Sequence, residues 1–441
     1  MKQVNFYFDY VSPYPWLASH QLDELRVSAD AKFCFVPVLF AALLDYHSNM
    51  GPAEIPAKRR YTILDTQRWA IHLGLKFKSP PAHPFNPLKA LRATSALDND
   101  GLRESLAVRL LDAAWSEGMS LFDFYIMVDW SGAARRRGRR SDSIWVAHGS
   151  TTEDAPLTDS PFSRTEAIRL IRSLLVKEIA ARKRVLVGFD FAYGYPVDFA
   201  VALQAATGRS DQELPWLTVW RYLSEAIKDD EATMAGGKPS NRSNRFEIAN
   251  QINALLSSDP ESAGPFWCAS PEAAFRYIPQ KRPPQPFQTA QGYLIKALRL
   301  TDLRARSGSP FRLFGTASVG SQSLTGIARL HELRTDPQLT AASAVWPFET
   351  DWATKAKWLP KNVGIVHAEI YPSVREPKPD TIKDRGQVIA MWEWARELDE
   401  QNLLWCEFCR PVDIEHGSKE DIAIQLTEGW ILGASPTVRT Q

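Results

Sequence analysis

Carboxylates stand where apolar runs end in the second part of this chain. Asp129 closes Phe124-Tyr125-Ile126-Met127-Val128 and leads into Trp130-Ser131-Gly132. Asp190 follows Val187-Gly188-Phe189 and precedes Phe191-Ala192-Tyr193-Gly194-Tyr195-Pro196. Glu369 lies in His367-Ala368-Glu369-Ile370-Tyr371-Pro372, and Asp421 lies in Lys419-Glu420-Asp421-Ile422-Ala423, opening a late helix. Acids delivered from separate elements suit phosphodiester hydrolysis with Mg²⁺ or Mn²⁺. Hard cations need several oxygen ligands; one ion activates water and a second stabilises the leaving oxygen. Asp129, Asp190, Glu369 and Asp421 are therefore the expected catalytic and metal-ligating set. The plain alternative is edge and capping residues, and Asp421 alone would suit a helix start.

A different chemistry is suggested near the N-terminus. The apolar run Asn5-Phe6-Tyr7-Phe8 breaks at Asp9-Tyr10-Val11 into Ser12-Pro13-Tyr14-Pro15-Trp16. A hydroxyl at a helix start meets free N–H groups and a partial positive charge, which stabilise an anion there. There is no Cys-x-x-Cys at this place, so disulfide cycling at it is excluded. Ser-Pro is also an ordinary way to begin a helix. Further along come Asn49-Met50-Gly51-Pro52, Lys58-Arg59-Arg60-Tyr61 and His83-Pro84-Phe85-Asn86-Pro87.

In that order, these motifs resemble the 2-hydroxychromene-2-carboxylate isomerases and kappa-class glutathione transferases. Those families have a DsbA-type thioredoxin fold with a helical insertion. The resemblance implies that Ser12 would hold a glutathione thiolate ready as a nucleophile. It implies glutathione or substrate contacts for Asn49 and Asn86. It stops near Ala114-Trp115-Ser116-Glu117-Gly118. No Gly-Val-Pro-like loop with two strands and a helix follows residue 100. That loop carries the cis-proline whose backbone pairs with the cysteinyl part of glutathione. Residues 1–118 are accordingly expected to be a truncated thioredoxin-like segment, and glutathione to bind weakly or not at all. Met119 is where a second protein could begin, as in a fusion of two genes. Residues 119–441 resemble predicted nucleases of the ribonuclease H-like fold, on the four acidic motifs and the Gly-Tyr-Pro turn after the second.

Residues 4–8 and 32–38 read as strands around a helix from Trp16, which should pair them in parallel as a βαβ unit. Helices are expected over 41–44, 57–73, 88–97 and 102–115. In the second part, strands are expected at 124–129, 142–147, 184–190 and 363–370. Helices are expected at 164–182, 387–398 and 419–432, and polar loops at 229–245 and 279–290.

Bulk properties narrow the rest. A chain of 441 residues argues for more than one domain. A net charge of +1 removes the argument for a globally basic nucleic-acid binder. The run Arg135-Arg136-Arg137-Gly138-Arg139-Arg140 could touch phosphates or be a solvated turn. Four cysteines are too few for a disulfide scaffold. Cys406-Glu407-Phe408-Cys409 has metal or redox spacing but no second pair, so free structural thiols are expected. With no apolar run near the ~20 residues a bilayer needs and no signal-like N-terminus, a cytoplasmic location without membrane contact is expected.

The expected architecture is α/β: a partial thioredoxin-like segment fused to a ribonuclease H-like mixed-sheet domain. The leading functional expectation is a metal-dependent phosphodiesterase or nuclease in 119–441 with a vestigial N-terminal segment. Its partner would be nucleic acid or another phosphodiester. The first alternative is a glutathione-dependent isomerase or transferase acting through Ser12. The second is a noncatalytic interaction protein. The exposed edge of the short N-terminal sheet could seat a second copy of the chain.

Overall fold

Phe6 and Phe8 meet Phe35 because β1 (Lys2–Phe8) and β2 (Ala31–Pro37) run side by side in parallel, with Phe6 opposite Phe35. The chain crosses between them through α1 (Pro13–Ser19) and α2 (Leu22–Ala29), giving the expected βαβ unit. Four helices follow: α3 (Phe40–Tyr46), α4 (Pro56–His72), α5 (Leu88–Ser95) and α6 (Asp100–Asp112). Their apolar side chains close a core of Phe8, Tyr10, Trp16, Phe35, Leu111 and Trp115. Among the described residues this sheet has only these two strands.

The computed structural model describes all residues except 1, 81–82, 118–119, 134–142, 210–211, 230–232, 235–237, 240, 271–273, 316–317, 355–357, 381, 402 and 435–441. The chain divides into two compact units, one built mainly from Met1–Leu121 and one mainly from residues 122–441. Met119 and the arginine run at 135–140 lie outside the described residues.

The second unit is organised by one mixed sheet. Its strands are β3 (Phe124–Asp129), β4 (Trp145–Ser150), β5 (Leu157–Asp159), β6 (Val185–Phe189), β7 (Ser343–Val345), β8 (Ile365–Ile370) and β9 (Ile431–Leu432). The order is β7-β8-β6-β3-β4-β5, with β9 also beside β8. β3, β4 and β5 form an antiparallel meander; β6 lies parallel to β3, and β8 parallel to β6. Strands of the central group are buried on both faces, so they read as apolar runs rather than alternating ones. One face carries Ile126, Val128, Val187, Phe189 and Ile365. It packs with Ile168, Ile171 and Leu175 of α7 (Arg164–Ala180) and with Leu324 and Ile327 of α12 (Val319–Thr335). On the other face, Tyr125 meets Trp392 of α13 (Lys383–Glu400) edge-on.

Helices α8 (Phe199–Thr207), α9 (Pro215–Ala226), α10 (Arg245–Leu256) and α11 (Leu300–Ala305) come between β6 and α12. Short helices α14 (Leu404–Glu407) and α15 (Lys419–Ala423) follow α13.

Some expected boundaries move. The strand expected at 142–147 is β4, Trp145–Ser150. The helix expected at 419–432 stops early: α15 gives way to a single wider turn, Ile424–Glu428, and then to β9. Gly429, at φ +71°, supplies the left-handed step that ends it. The stretch 229–245 is not simply an exposed polar loop, because Asn241 and Arg245 are buried. Among the described residues no helix is long and apolar enough to cross a membrane.

Candidate acidic site

The register of β3 and β6 sets Val128 opposite Phe189, which carries Asp129 and Asp190 to adjacent strand ends. The Trp130 N–H donates to Asp190 Oδ1 at 2.5 Å, and the Asp190 N–H donates to the Val128 carbonyl at 3.2 Å. Asp129 is only 9% exposed. Asp384 lies in the first turn of α13. Burial raises the Asp190 carboxyl most strongly, the Trp130 N–H opposes this, and the charges of Asp384 and Glu369 add repulsion. Together these push Asp190 up to about 7. Asp384, whose charge reaches Asp190, was not foreseen from the sequence, because the helix was expected to begin only at residue 387.

The chain beyond Asp129 is tightly held. Trp130 Nε1 donates to Thr325 Oγ1 at 3.2 Å, and Gln322 Nε2 donates to the Trp130 carbonyl at 2.5 Å. Gly132 lies so close to α12 that a Cβ there would meet the Cβ of Ser321 at 2.8 Å. Arg164, fully buried and paired with Asp229 at 2.7 Å, donates to the carbonyls of Ser131 at 3.1 Å and Ala133 at 3.4 Å. Asn241 Nδ2 donates to the Ala133 carbonyl at 2.9 Å. These bonds hold the backbone that follows Asp129 in one position.

Glu369 and Asp421 correct the expectation of four converging acids. Glu369 pairs in register with Phe189, whereas Asp190 is one residue further on. Side chains alternate along a strand, so the two acids leave opposite faces of the sheet. Glu369 is only 3% exposed. Arg299 clamps it with Nη1–Oε2 at 2.7 Å and Nη2–Oε1 at 2.6 Å, and the Tyr193 N–H donates to Oε2 at 2.9 Å. Arg299 also pairs with Asp302 at 2.7 Å and donates to the Glu428 carbonyl at 2.9 Å. This is a buried ion-pair network rather than an open set of ligands.

Asp421 is equally engaged. Its Oδ1 accepts from Trp352 Nε1 at 2.7 Å and Gln425 Nε2 at 2.9 Å, and its Oδ2 accepts from the Gly417 N–H at 2.8 Å. Burial would raise this carboxyl, but those donors outweigh it and hold Asp421 below the usual range. Among the described residues no group of three or more His, Cys, Asp or Glu is arranged to hold a metal ion. A preformed four-carboxylate cage therefore does not fit. The smaller set of Asp129 and Asp190 does fit Mg²⁺ or Mn²⁺ in kind, because Mg²⁺ is usually held by one or two carboxylates with waters and substrate phosphates. The repulsion felt by Asp190 is the electrostatic counterpart of that fit.

In the first unit, Ser12 occupies the residue before α1 with extended backbone, and its side chain makes no capping hydrogen bond. Asn49 Oδ1 accepts from the Met50 N–H at 2.9 Å, and Asn86 Oδ1 accepts from the Leu88 N–H at 3.0 Å; both residues are exposed. Each acceptor is thus engaged by its own turn. His83 lies against the same segment as Ser12. Its Nε2 is 2.8 Å from the Val11 carbonyl, and its ring stands across that of Trp115. Burial lowers the His83 imidazole below its ordinary value. The motif at 83–87 gave no signal that this histidine packs against the serine's neighbour.

Several other polar and aromatic groups of the second unit are packed into its interior. His367 Nε2 is 2.7 Å from Ser343 Oγ, and burial pushes the imidazole down to about 3. Trp346 and Trp352 are buried against each other. Cys406 and Cys409 are free, with burial pushing them up to about 12 and about 11. They are far less reactive than an ordinary thiol at neutral pH.

Comparison with known proteins bears on the first unit. Residues 3–128 match the model of the DSBA-like thioredoxin domain, running past the Gly118 at which the motif resemblance stops. Over 122 residues the chain is 27% identical to 2-hydroxychromene-2-carboxylate isomerase of Pseudomonas putida, covering 26% of this chain and 58% of that protein. The enzyme of the same name from Pseudomonas sp. (strain C18) is 33% identical over 69 residues, 15% of this chain and 32% of that one. Glutathione S-transferase kappa 1 of Caenorhabditis elegans is 26% identical over 98 residues, 22% of this chain and 43% of that one. A solved 2-hydroxychromene-2-carboxylate isomerase matches at 24% identity with a TM-score of 0.25, covering 26% of this chain and 58% of that chain. The chain spans between 32% and 58% of the length of these curated relatives. Its N-terminal part is a DsbA-like thioredoxin domain, homologous to 2-hydroxychromene-2-carboxylate isomerases and kappa-class glutathione transferases.

Proposed function

We propose that the second unit is a metal-dependent phosphodiesterase acting through Asp129 and Asp190, with a ribonuclease H-like sheet as its scaffold. The observation that carries this reading is the pairing of two acids at adjacent parallel strand ends, with Asp190 pushed up to about 7. The antiparallel meander continued by parallel strands supports the scaffold assignment. Asp129 and Asp190 would hold Mg²⁺ or Mn²⁺ together with the substrate's own phosphate oxygens. A bound ion would supply charge stabilisation at the phosphoryl group and a more acidic water.

Burial and the charge of Asp384 make Asp190 resist ionisation, so a cation beside it would draw off its proton and be held by the resulting carboxylate. Trp130 N–H holds the ionised form of Asp190 in one orientation. Asp384 supplies the negative charge that makes a cation welcome beside Asp190. Arg299, by neutralising Glu369, keeps the opposite face of β8 from competing for that cation. The test is Mn²⁺-dependent hydrolysis of bis(p-nitrophenyl) phosphate by the full chain. Activity should fall by at least about 100-fold in Asp129→Asn and Asp190→Asn, and equal activity in wild type and both variants would overturn the reading.

A second reading keeps the N-terminal domain active. The Ser12 hydroxyl before α1 makes no capping bond, which would leave it available to a glutathione thiolate. Against this, Asn49 and Asn86 have their acceptors turned onto local backbone. We favour a vestigial first unit, whose sheet, two-stranded among the described residues, would pair its edge with a second copy of the chain.

A further inference from the structure

Among the described residues of the second unit, two of the three buried arginines, Arg164 and Arg299, pair with carboxylates, as does the half-buried Arg329. Arg164 and Arg329 share Asp229, and Arg299 has Asp302 and Glu369. Arg245, the first residue of α10, is 8% exposed and has no carboxylate within salt-bridge distance among the described residues. Its Nε donates to Ser321 Oγ at 3.0 Å and its Nη1 to Ser243 Oγ at 3.1 Å, and the guanidinium lies over the Phe246 ring at 4.4 Å. Nη2 has no protein partner among the described residues. Two hydroxyls satisfy donors but do not neutralise the charge. Burial first, and then the charge of Arg164, pull this guanidinium down to about 10; the charges of Asp229 and Glu247 oppose this from beyond contact distance and do not offset it. An unmatched buried cation is costly, and a bound anion would remove the cost.

The position of Arg245 says which anion. Its partner Ser321 is the residue against which Gly132 packs, in the first turn of α12. The start of a 17-residue helix favours negative charge. Gly132 is three residues beyond Asp129, at most about 10 Å of extended chain. Through Gly132 and Ser321 the guanidinium is tied to the chain that leaves Asp129, the side along which a phosphodiester held at Asp129 and Asp190 would extend its further phosphates. The planar fork of arginine suits two phosphate oxygens at once.

We propose that Arg245, backed by Ser243 and Ser321, binds a phosphate group flanking the scissile one, so that the substrate is a phosphodiester chain rather than an isolated diester. The identity of the chain as substrate rests on the hydrolase reading above; binding of phosphate at Arg245 does not.

The experiment is thermal unfolding of the full chain in rising inorganic phosphate at constant ionic strength, for wild type, Arg245→Met and Asp190→Asn. Phosphate should raise the melting temperature of wild type and of Asp190→Asn, growing with the logarithm of concentration. Arg245→Met should melt no lower than wild type in phosphate-free buffer, because it removes an unmatched buried charge. It should show no phosphate-dependent rise. If Arg245→Met does not fold, Arg245→Lys reads the same difference: a rise cut by half or more supports the proposal. An undiminished rise in either variant, or no rise in wild type, overturns it. An Arg245-dependent rise in a protein that cleaves no diester would leave this site standing and remove the hydrolase reading.

Discussion

The Trp130 N–H points at Asp190 Oδ1 from 2.5 Å, so the first residue after one strand end orients the carboxylate at the next. This bond joins the two acids into one geometric unit. It also makes Asp190 sensitive to pH, because its donor favours the ionised form while burial, Asp384 and Glu369 favour the neutral one.

The sign of that sensitivity is fixed. Asp190 is raised from 3.8 to about 7, so the folded state binds the extra proton between those values. Stability contributed by this group is present below pH 3.8 and is lost as pH rises through about 7. At about 1.4 kcal/mol per unit, the effect is on the order of a few kcal/mol. Asp190→Asn should therefore melt higher than wild type at pH 8, and denaturant titrations at pH 5 and pH 8 would show the difference shrinking at the lower pH. A difference independent of pH would contradict the assignment.

Glu369 should behave as a structural partner. Removing one member of a buried ion pair typically costs about 3–5 kcal/mol. Glu369→Gln leaves Arg299 with Asp302 as its carboxylate partner, so a loss toward the lower end of that range is expected from urea unfolding. Unchanged stability would mean that the clamp is not formed in solution.

Gly194 tests the turn that follows Asp190. A Cβ at this position would lie 2.1 Å from the Thr427 carbonyl oxygen and 2.7 Å from that of Glu428. Neither backbone can yield cheaply. Gly194→Ala should cost more than about 3 kcal/mol, placing it in the tail of single-substitution effects; normal expression with a wild-type melting temperature would refute the packing.

Ser12→Ala should change stability by less than about 0.5 kcal/mol, whereas losing a working cap costs about 1 kcal/mol. In the favoured reading, glutathione titration of wild type should show no binding tighter than millimolar. Micromolar binding that disappears in Ser12→Ala would shift the function to the first unit.

The legible parts of this chain were those governed by local pattern. The βαβ unit showed because β-rich runs flank a Ser-Pro helix start, and Asp129 and Asp190 showed because each ends an apolar run. Glu369 also ends such a run, yet its role depends on the register with β6, which sets the face it leaves. Asp384 was hidden because a helix start is weakly marked when its first turn is Lys383-Asp384-Arg385-Gly386. Arg299 and Arg245 gave no local sign at all. Their meaning comes from partners 70 and 76 positions away, Glu369 and Ser321.

Calorimetric titration of the full chain with Mn²⁺ tests the central claim most directly. The account predicts saturable binding that tightens from pH 6 to pH 8, as Asp190 loses its proton, and that is abolished in Asp190→Asn. Binding of equal strength in Asp190→Asn, or none in wild type at pH 8, would contradict it.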